Sequence, residues 1–341
     1  MIKPGFQKQK PMQKVLVALI PPTICAVYFF GLRVLALVLI CIIFALITEW
    51  ITASRRKAKV TQACLVTALI YCLILPPTVP FWIAAVGIVV GILFGKEVFG
   101  GFGKNVFNPA IVGRAFVWIC FPVDMTSKFV PSFSGFPGGF AQWSMISSQE
   151  QPGYLLRAGL DALTSATPMF AAKTYGQFTD LGALFLGNIS GLIQVEGHPI
   201  VLGAGSMGEV SALAILLGGA WLLYTRAAQP RLMLSPILGA LFTALLLKHV
   251  AGVDTVPDPL FVILSGGLLF AAVFMVTEPV TAPKSPRTQW IYGLFIGAMI
   301  VLLRYKGIFT GAVAFSILLG NMLAPSLDMW MKRIRANREK V

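Results

Sequence analysis

The sequence predicts an all-α polytopic membrane protein: about ten transmembrane helices in two inverted five-helix halves, separated by a long extracytoplasmic loop. Composition, ten apolar stretches and a one-sided distribution of basic residues carry that prediction. Apolar types make up 57% of the chain and charged types 12%, where a soluble domain carries about 25% charged residues. The 27 Lys and Arg against 13 Asp and Glu give a formal charge of +14. Such a basic chain would suggest a nucleic-acid partner, but so few charges cannot coat a soluble surface, and that class is set aside. The same composition excludes disorder, a collagen-like chain and a small disulfide scaffold.

A spanning helix takes roughly 20 mostly apolar residues. In chain order the apolar stretches are 15–30, 34–53, 62–77, 81–96 and 106–122, then 209–225, 232–250, 260–277, 289–304 and 308–327. Those at 15–30, 62–77 and 289–304 are short, which tilt or extension into the interface accommodates. The first is not a signal peptide, because Pro21-Pro22 interrupts it and no small-residue cleavage site follows.

Lys and Arg are retained on the cytoplasmic side of a membrane. With the N-terminus inside, nineteen of the basic residues fall in cytoplasmic segments and seven outside, Arg304 among the seven, while Arg114 lies within a span. Both termini are then cytoplasmic, and the basic tails are free to touch anionic lipid. This divides the chain into a five-helix half (1–122), an extracytoplasmic loop (123–207) and a second five-helix half with a basic tail (208–341). Five spans on each side of the loop must be inverted relative to each other, a frequent transporter plan. Glu97 and Glu278 each end an apolar run before a Gly- or Pro-rich basic segment, with Gly113 and Gly293 at similar offsets. Five cysteines form no C-x-x-C pair, so metal or iron–sulfur ligation by this chain is not expected.

Two segments carry chemistry. From Lys96 to Ala110 a span gives way to glycines, two asparagines and Pro109 at a helix start. Glycine admits close backbone approach, a helix N-terminus presents free N–H groups, and Asn105 and Asn108 each offer a donor and an acceptor. The segment reads equally as a turn closed by a capping asparagine. The second, Gly159 to Met169, contains Asp161, Thr164, Ser165 and Thr167 ahead of Pro168. By composition alone it is a Ser/Thr-rich turn.

Asp161 to Met169 resembles the attachment motif of flavoproteins that carry FMN through a phosphoester to the final threonine. Lys96 to Phe121, Gly208-Glu209-Val210-Ser211 and Thr277-Glu278-Pro279-Val280 resemble segments of the same family, in order and spacing. That family comprises the D subunit of the Rnf electron-transport complex and the homologous B subunit of the Na+-translocating NADH:quinone reductase. The near-immediate start of the first span and Phe121-Pro122-Val123-Asp124-Met125-Thr126 resemble the Rnf form. Lys96-Glu97-Val98-Phe99-Gly100-Gly101 resembles the other equally.

The resemblance implies that Thr167 bears FMN, attached by a separate flavin transferase, with Asp161, Thr164 and Ser165 serving recognition or holding the product. Many members have Gly or another small polar residue where Ser165 stands, and serine is close enough in size to keep the attachment. Pro168 favours an extended backbone at Thr167, and the topology places Thr167 outside, where the family carries its flavin. Trp143, Tyr154, Phe170 and Tyr175 are candidates to stack on the ring or are ordinary loop packing. A noncovalent riboflavin belongs to the quinone-reductase branch, at positions matching Asn105 and Asn108. The resemblance further implies a fold of the urea-transporter class and a bacterial inner-membrane location. Implied partners are an extracytoplasmic FMN-bearing subunit and iron–sulfur and NAD-binding subunits.

Ionisable groups within spans point to function. Glu49, Asp328, Glu97 and Glu278 are candidates to couple Na+ or H+ movement to flavin chemistry. Alternatively, Glu49 answers Arg55 and Arg56, Asp328 answers Lys332 and Arg333, and Arg114 pairs with Glu97 or Glu278. The main expectation is a subunit of a ferredoxin:NAD+ oxidoreductase that relays electrons and does not bind nicotinamide, since no Gly-rich dinucleotide fingerprint occurs. A flavin-free solute permease and a structural scaffold are the competing readings.

Overall fold

The computed structural model describes residues 5–145, 165–195, 198–253, 255–307 and 311–338. Helices form along the apolar runs, and proline sets many of their starts. It opens α6 (Pro109–Cys120), α7 (Pro122–Thr126), α8 (Pro168–Tyr175), α11 (Pro230–Leu245), α12 (Pro259–Leu264) and α14 (Pro286–Tyr305). A proline there lacks only an N–H that the first turn leaves unbonded anyway. Pro21 and Pro22 act in the same way: the first stretch divides into α1 (Lys10–Ala18) and α2 (Ile20–Phe30), and the pair lies in the first turn of α2.

The first half continues with α3 (Arg33–Arg56), α4 (Ala63–Leu73) and α5 (Phe81–Ile92), which runs into a π-helical turn (Leu93–Glu97) before α6. The second half has α10 (Ala212–Tyr224), then α11 with a π-helical turn (Leu246–Val250). After it come α12 and α13 (Leu268–Phe270), the latter ending in a π-helical turn (Ala271–Met275), then α14 and α15 (Ala312–Arg338). Every expected apolar stretch therefore holds helix. Among the described residues, five are long and apolar enough to cross a membrane: Lys10–Phe30, Arg33–Arg56, Pro230–Val250, Pro286–Tyr305 and Ala312–Ile334. At 1.5 Å per residue α4 reaches only about 16 Å, half a hydrocarbon core, and beyond it the chain runs without helix through Pro76, Pro77 and Pro80. The molecule is thus a mostly helical membrane protein in which long and short helices are mixed.

Helices α3 to α6 pack together, and α11, α14 and α15 form a second group. The groups interlock, because α1 and α2 lie on α10 and α15 touches α6. Bilayer helices gain little from burying apolar surface against each other, so close backbone approach counts for more. Both groups use glycine for it. A Cβ on Gly113 would run into the Gly87 carbonyl, joining α6 to α5, and one on Gly297 would run into the Pro236 carbonyl, joining α14 to α11. Large apolar side chains such as Leu39, Ile47, Trp82 and Phe242 remain on the outside, as a lipid- or subunit-facing surface requires.

The expected loop at 123–207 is partly folded. Besides α7 it carries α8, α9 (Leu181–Leu186) and a three-stranded sheet, in which β5 (His198–Leu202) is central between β3 (Ser165–Ala166) and β4 (Leu192–Val195). Strand β3 runs parallel to β5, with Ser165 opposite Val201, and β4 antiparallel, with Ile193 opposite Ile200. A second ladder pairs β1 (Phe6–Gln7) with β2 (Val60–Thr61). The all-α expectation is amended by these two small sheets. One end of the molecule gathers the start of α3, the 77–80 segment and Lys128: Arg33 N–H donates to the Trp143 carbonyl (2.9 Å), and the Thr78 hydroxyl donates to the Lys128 carbonyl. The other end gathers Arg56, Glu97 and the glycine segment that follows.

Candidate functional site

Strand β3 fixes Thr167. The Ala166 carbonyl accepts from Gly203 N–H (3.0 Å), and Thr167 then takes an extended backbone (φ −71°, ψ 157°) as the N-cap of α8. Proline after it excludes the helical alternative. The Thr167 hydroxyl accepts from Phe170 N–H at 3.4 Å, a long bond that leaves the oxygen lightly engaged. Burial pulls the Lys173 ammonium on α8 below the usual lysine range, and it donates to the Gly307 carbonyl (2.6 Å).

Thr167 lines a cavity of about 380 Å³ between the helices of both groups, within the range of small-molecule sites. Phe170 and Tyr175 share its wall, with ring centroids 5.9 Å apart in an edge-to-face arrangement. Trp118 contributes from α6. Of the four aromatic candidates, Phe170 and Tyr175 meet Thr167. Trp143 is half-exposed at the start of α3 and does not line the cavity, and Tyr154 lies outside the described residues. Asp161 and Thr164 also lie outside them, and Ser165 is described by its backbone pairing.

The charged lining was not expected. Arg114, Arg304 and Glu209 all face this cavity. Arg304, assigned by charge counting to an outer loop, is instead 3% exposed at the end of α14, donating to the Ser265 (3.2 Å) and Val262 (3.4 Å) carbonyls. Charge counting treats any basic residue near a span end as solvated, whereas this one turns inward to the break between α12 and α13. Arg114 pairs with neither Glu97 nor Glu278; the carboxylate it feels is Glu209. Glu209 Oε1 accepts from Ser206 N–H (2.8 Å). The only sequence signal for Glu209 was its place in the Gly208–Ser211 segment.

A second polar cluster occupies the opposite end. The Asn108 side-chain oxygen, Oδ1, caps α6 by accepting from Ala110 N–H (3.0 Å), Asn108 backbone N–H donates to Asn321 Oδ1 (3.1 Å), and the Asn321 amide donates to the Tyr292 hydroxyl (2.8 Å). The capping alternative is therefore realised. The Asn105 amide donates to Glu278 (3.2 Å) and to the Phe107 carbonyl (3.2 Å), and Glu278 also accepts from the Thr281 hydroxyl (3.0 Å). Asn105, Asn108, Glu278 and Lys96 line a cavity of about 60 Å³, room for a few waters. A tricyclic ring does not fit it in this arrangement.

Beside it the carboxylates are matched. Glu49 Oε2 lies 2.8 Å from the Lys96 ammonium, with the two side chains 2% and 3% exposed. Glu49 Oε1 accepts from the Thr61 N–H (2.9 Å) and hydroxyl (2.7 Å), and Lys96 also donates to that hydroxyl (2.8 Å). Glu49 thus answers Lys96 and not Arg55 or Arg56. Arg56 pairs with Glu97, whose other oxygen, Oε1, is buried with no hydrogen-bond partner among the described residues. Asp328 does not answer Lys332 or Arg333. It accepts from Lys284 N–H (2.9 Å) and the Thr288 hydroxyl (3.0 Å), fastening the segment ahead of α14 to α15.

A helical membrane core with one large charged-and-aromatic cavity and a compact carboxylate network at the other end defines an integral membrane protein built around internal polar sites. The chain belongs to the NQR2, RnfD, RnfE family, whose model matches residues 2–337. It is similar to the D subunit of the ion-translocating oxidoreductase complex of Vibrio cholerae serotype O1 (strain ATCC 39541 / Classical Ogawa 395 / O395), with 34% identity covering 94% of this chain and 92% of that protein. Proteins of the same description from Haemophilus ducreyi (34% identical; 94% and 92% covered) and Shewanella amazonensis (32%; 97% and 94%) are similar along the same length.

Proposed function

We propose that this chain is the D-type membrane subunit of an ion-translocating oxidoreductase complex and carries FMN in phosphoester linkage to Thr167. The observation that carries the reading is the lightly engaged Thr167 hydroxyl on a cavity walled by aromatic rings and arginines. The residues present fit the group. The first turn of α8, whose Phe170 N–H is directed at the Thr167 oxygen, favours a phosphate there, and Phe170, Tyr175 and Trp118 offer ring contacts for a planar ring. Arg114 makes no hydrogen bond among the described residues, which leaves its donors available. Bound flavin supplies one- and two-electron chemistry, and the protein binds, orients and tunes it.

In this reading the ten helical stretches are ten crossings in the inner membrane, with both termini cytoplasmic and Thr167 outside. The partners are an extracytoplasmic FMN-bearing subunit and iron–sulfur and NAD-binding subunits, and a flavin transferase matures the chain. Glu49, Glu97 and Glu278 are the carboxylates at the Thr167-distal end that respond to Na+ or H+, while Asp328 serves mainly to tie the 284–288 segment to α15. The quinone-reductase B subunit is the neighbouring assignment within the same family.

The test is in-gel flavin fluorescence of the denatured chain after expression with a flavin transferase. A fluorescent band in wild type, absent in Thr167→Val, is expected. No band in wild type, with the transferase active on a known target, would refute covalent attachment. A cavity lying between two helix groups also suits a flavin-free permease, and that result would favour it.

A further inference from the structure

Among the described residues, the cavity beside Thr167 holds two cations against one carboxylate, and the two cations are not equivalent. Arg304 is engaged by the Val262 and Ser265 carbonyls. Glu209 is held through Ser206 N–H. Arg114 projects from the middle of α6 into the same space and makes no hydrogen bond among the described residues. Its electrostatic neighbours are Glu209 and Tyr71. A guanidinium presents five N–H donors in a planar fork and keeps its charge at any ordinary pH. Holding one in an apolar helix bundle without acceptors is costly. Glu209 offsets one of the two positive charges, so the lining suits a planar, acceptor-rich group that takes up negative charge.

The backbone at the other side of the cavity leaves room for such a group. Gly266, in the break between α12 and α13, has φ +66°, and a Cβ there would sit 3.1 Å from Arg304 Nη2. A larger residue would crowd the guanidinium where it faces the cavity.

Resting on the reading that Thr167 carries FMN, we propose that Arg114 receives the pyrimidine edge of the flavin ring and, with Arg304 behind it, sets the ring's potential by favouring the reduced anion. Two electrons and one proton enter the ring. The proton goes to N5, and the negative charge stays on the N1–C2 carbonyl edge beside Arg114. The electrons come from the complex's donor, or from an electrode in the test. Arg114 then has a role separate from attachment: Thr167 holds the flavin and Arg114 holds its charge.

The experiment uses the full chain, matured with a flavin transferase and purified in detergent, with Thr167→Val as the optical blank. Arg114→Leu is expected to keep the fluorescent band. Its two-electron potential should fall by at least about 30 mV, equivalent to a tenfold weaker preference for the reduced ring. Arg114→Lys, which keeps the charge, should recover most of that shift, a rescue that loss of packing alone would not produce. Arg114→Gln provides the same reading if the leucine variant does not accumulate. A loaded Arg114→Leu or Arg114→Gln chain with the wild-type potential overturns the proposal and leaves covalent attachment standing. Absence of the band in wild type overturns attachment and this proposal together.

Discussion

Lys96→Met should be among the most destabilising single changes at the Thr167-distal end. The Lys96 ammonium lies 2.8 Å from Glu49 Oε2, with the side chains 3% and 2% exposed, and 2.8 Å from the Thr61 hydroxyl. Methionine fills similar volume, so the loss is electrostatic: Glu49 keeps its Thr61 bonds but loses its counter-charge in a place water does not reach. Removing one partner of such a pair costs about 3–5 kcal/mol, most of it the penalty of the stranded charge. Glu49→Gln should cost less, because its amide oxygen still accepts from Thr61. The double variant, Glu49→Gln with Lys96→Met, should recover at least half of the loss from Lys96→Met, since no charge is left alone. Reversible unfolding in mixed detergent micelles, run as a double-mutant cycle, measures the coupling directly. A Lys96→Met loss below about 1 kcal/mol, the range of exposed pairs, would refute the reasoning. So would a double variant as unstable as the sum of the singles, because the pair would then be solvated or independent.

Two further outcomes follow from packing and hydrogen bonding. Gly297→Ala should already lose about 1–3 kcal/mol, because its methyl group must displace the Pro236 carbonyl; Gly297→Leu should abolish a monodisperse peak in size-exclusion chromatography. Asp328→Ala should cost about 1.5–3 kcal/mol as loss of its bonds to Lys284 N–H and the Thr288 hydroxyl, with Asp328→Asn retaining most of the stability in the same unfolding assay. If Asp328→Asn were as unstable as Asp328→Ala, the charge and not the hydrogen bonds would be the function of that residue.

The sequence was most informative where physics is local. Apolar runs located all ten helical stretches, and proline located starts such as those of α6 and α14. Asn108 beside Pro109 gave the cap, and Pro168 gave the extended backbone at Thr167. It was least informative where the answer depends on what comes close from elsewhere. The basic residues were sorted by chain position, and that rule treated Lys96 and Arg304 as solvated. Lys96 is buried because a π-helical turn carries it back toward α3, and Arg304 because the broken α12–α13 segment offers it carbonyls. The carboxylates stand out in the sequence as ionisable groups in apolar runs, but their partners are not the nearest charges along the chain. Glu49 meets Lys96 and Thr61, Glu97 meets Arg56, and Asp328 meets the start of α14.

By itself, then, the sequence determined that this is a helical membrane chain, where its apolar helical stretches lie and, by resemblance, its family, but not the short helices of the 123–207 segment. Composition and periodicity report on solvent and on neighbours along the chain. Only the tertiary structure decided that Thr167, Arg114, Glu209 and Arg304 share one cavity, and that Asn105 from one half bonds Glu278 from the other. Those residues lie far apart in the chain, and a pairing in a low-dielectric core is set by which helices cross, a property that no single segment encodes.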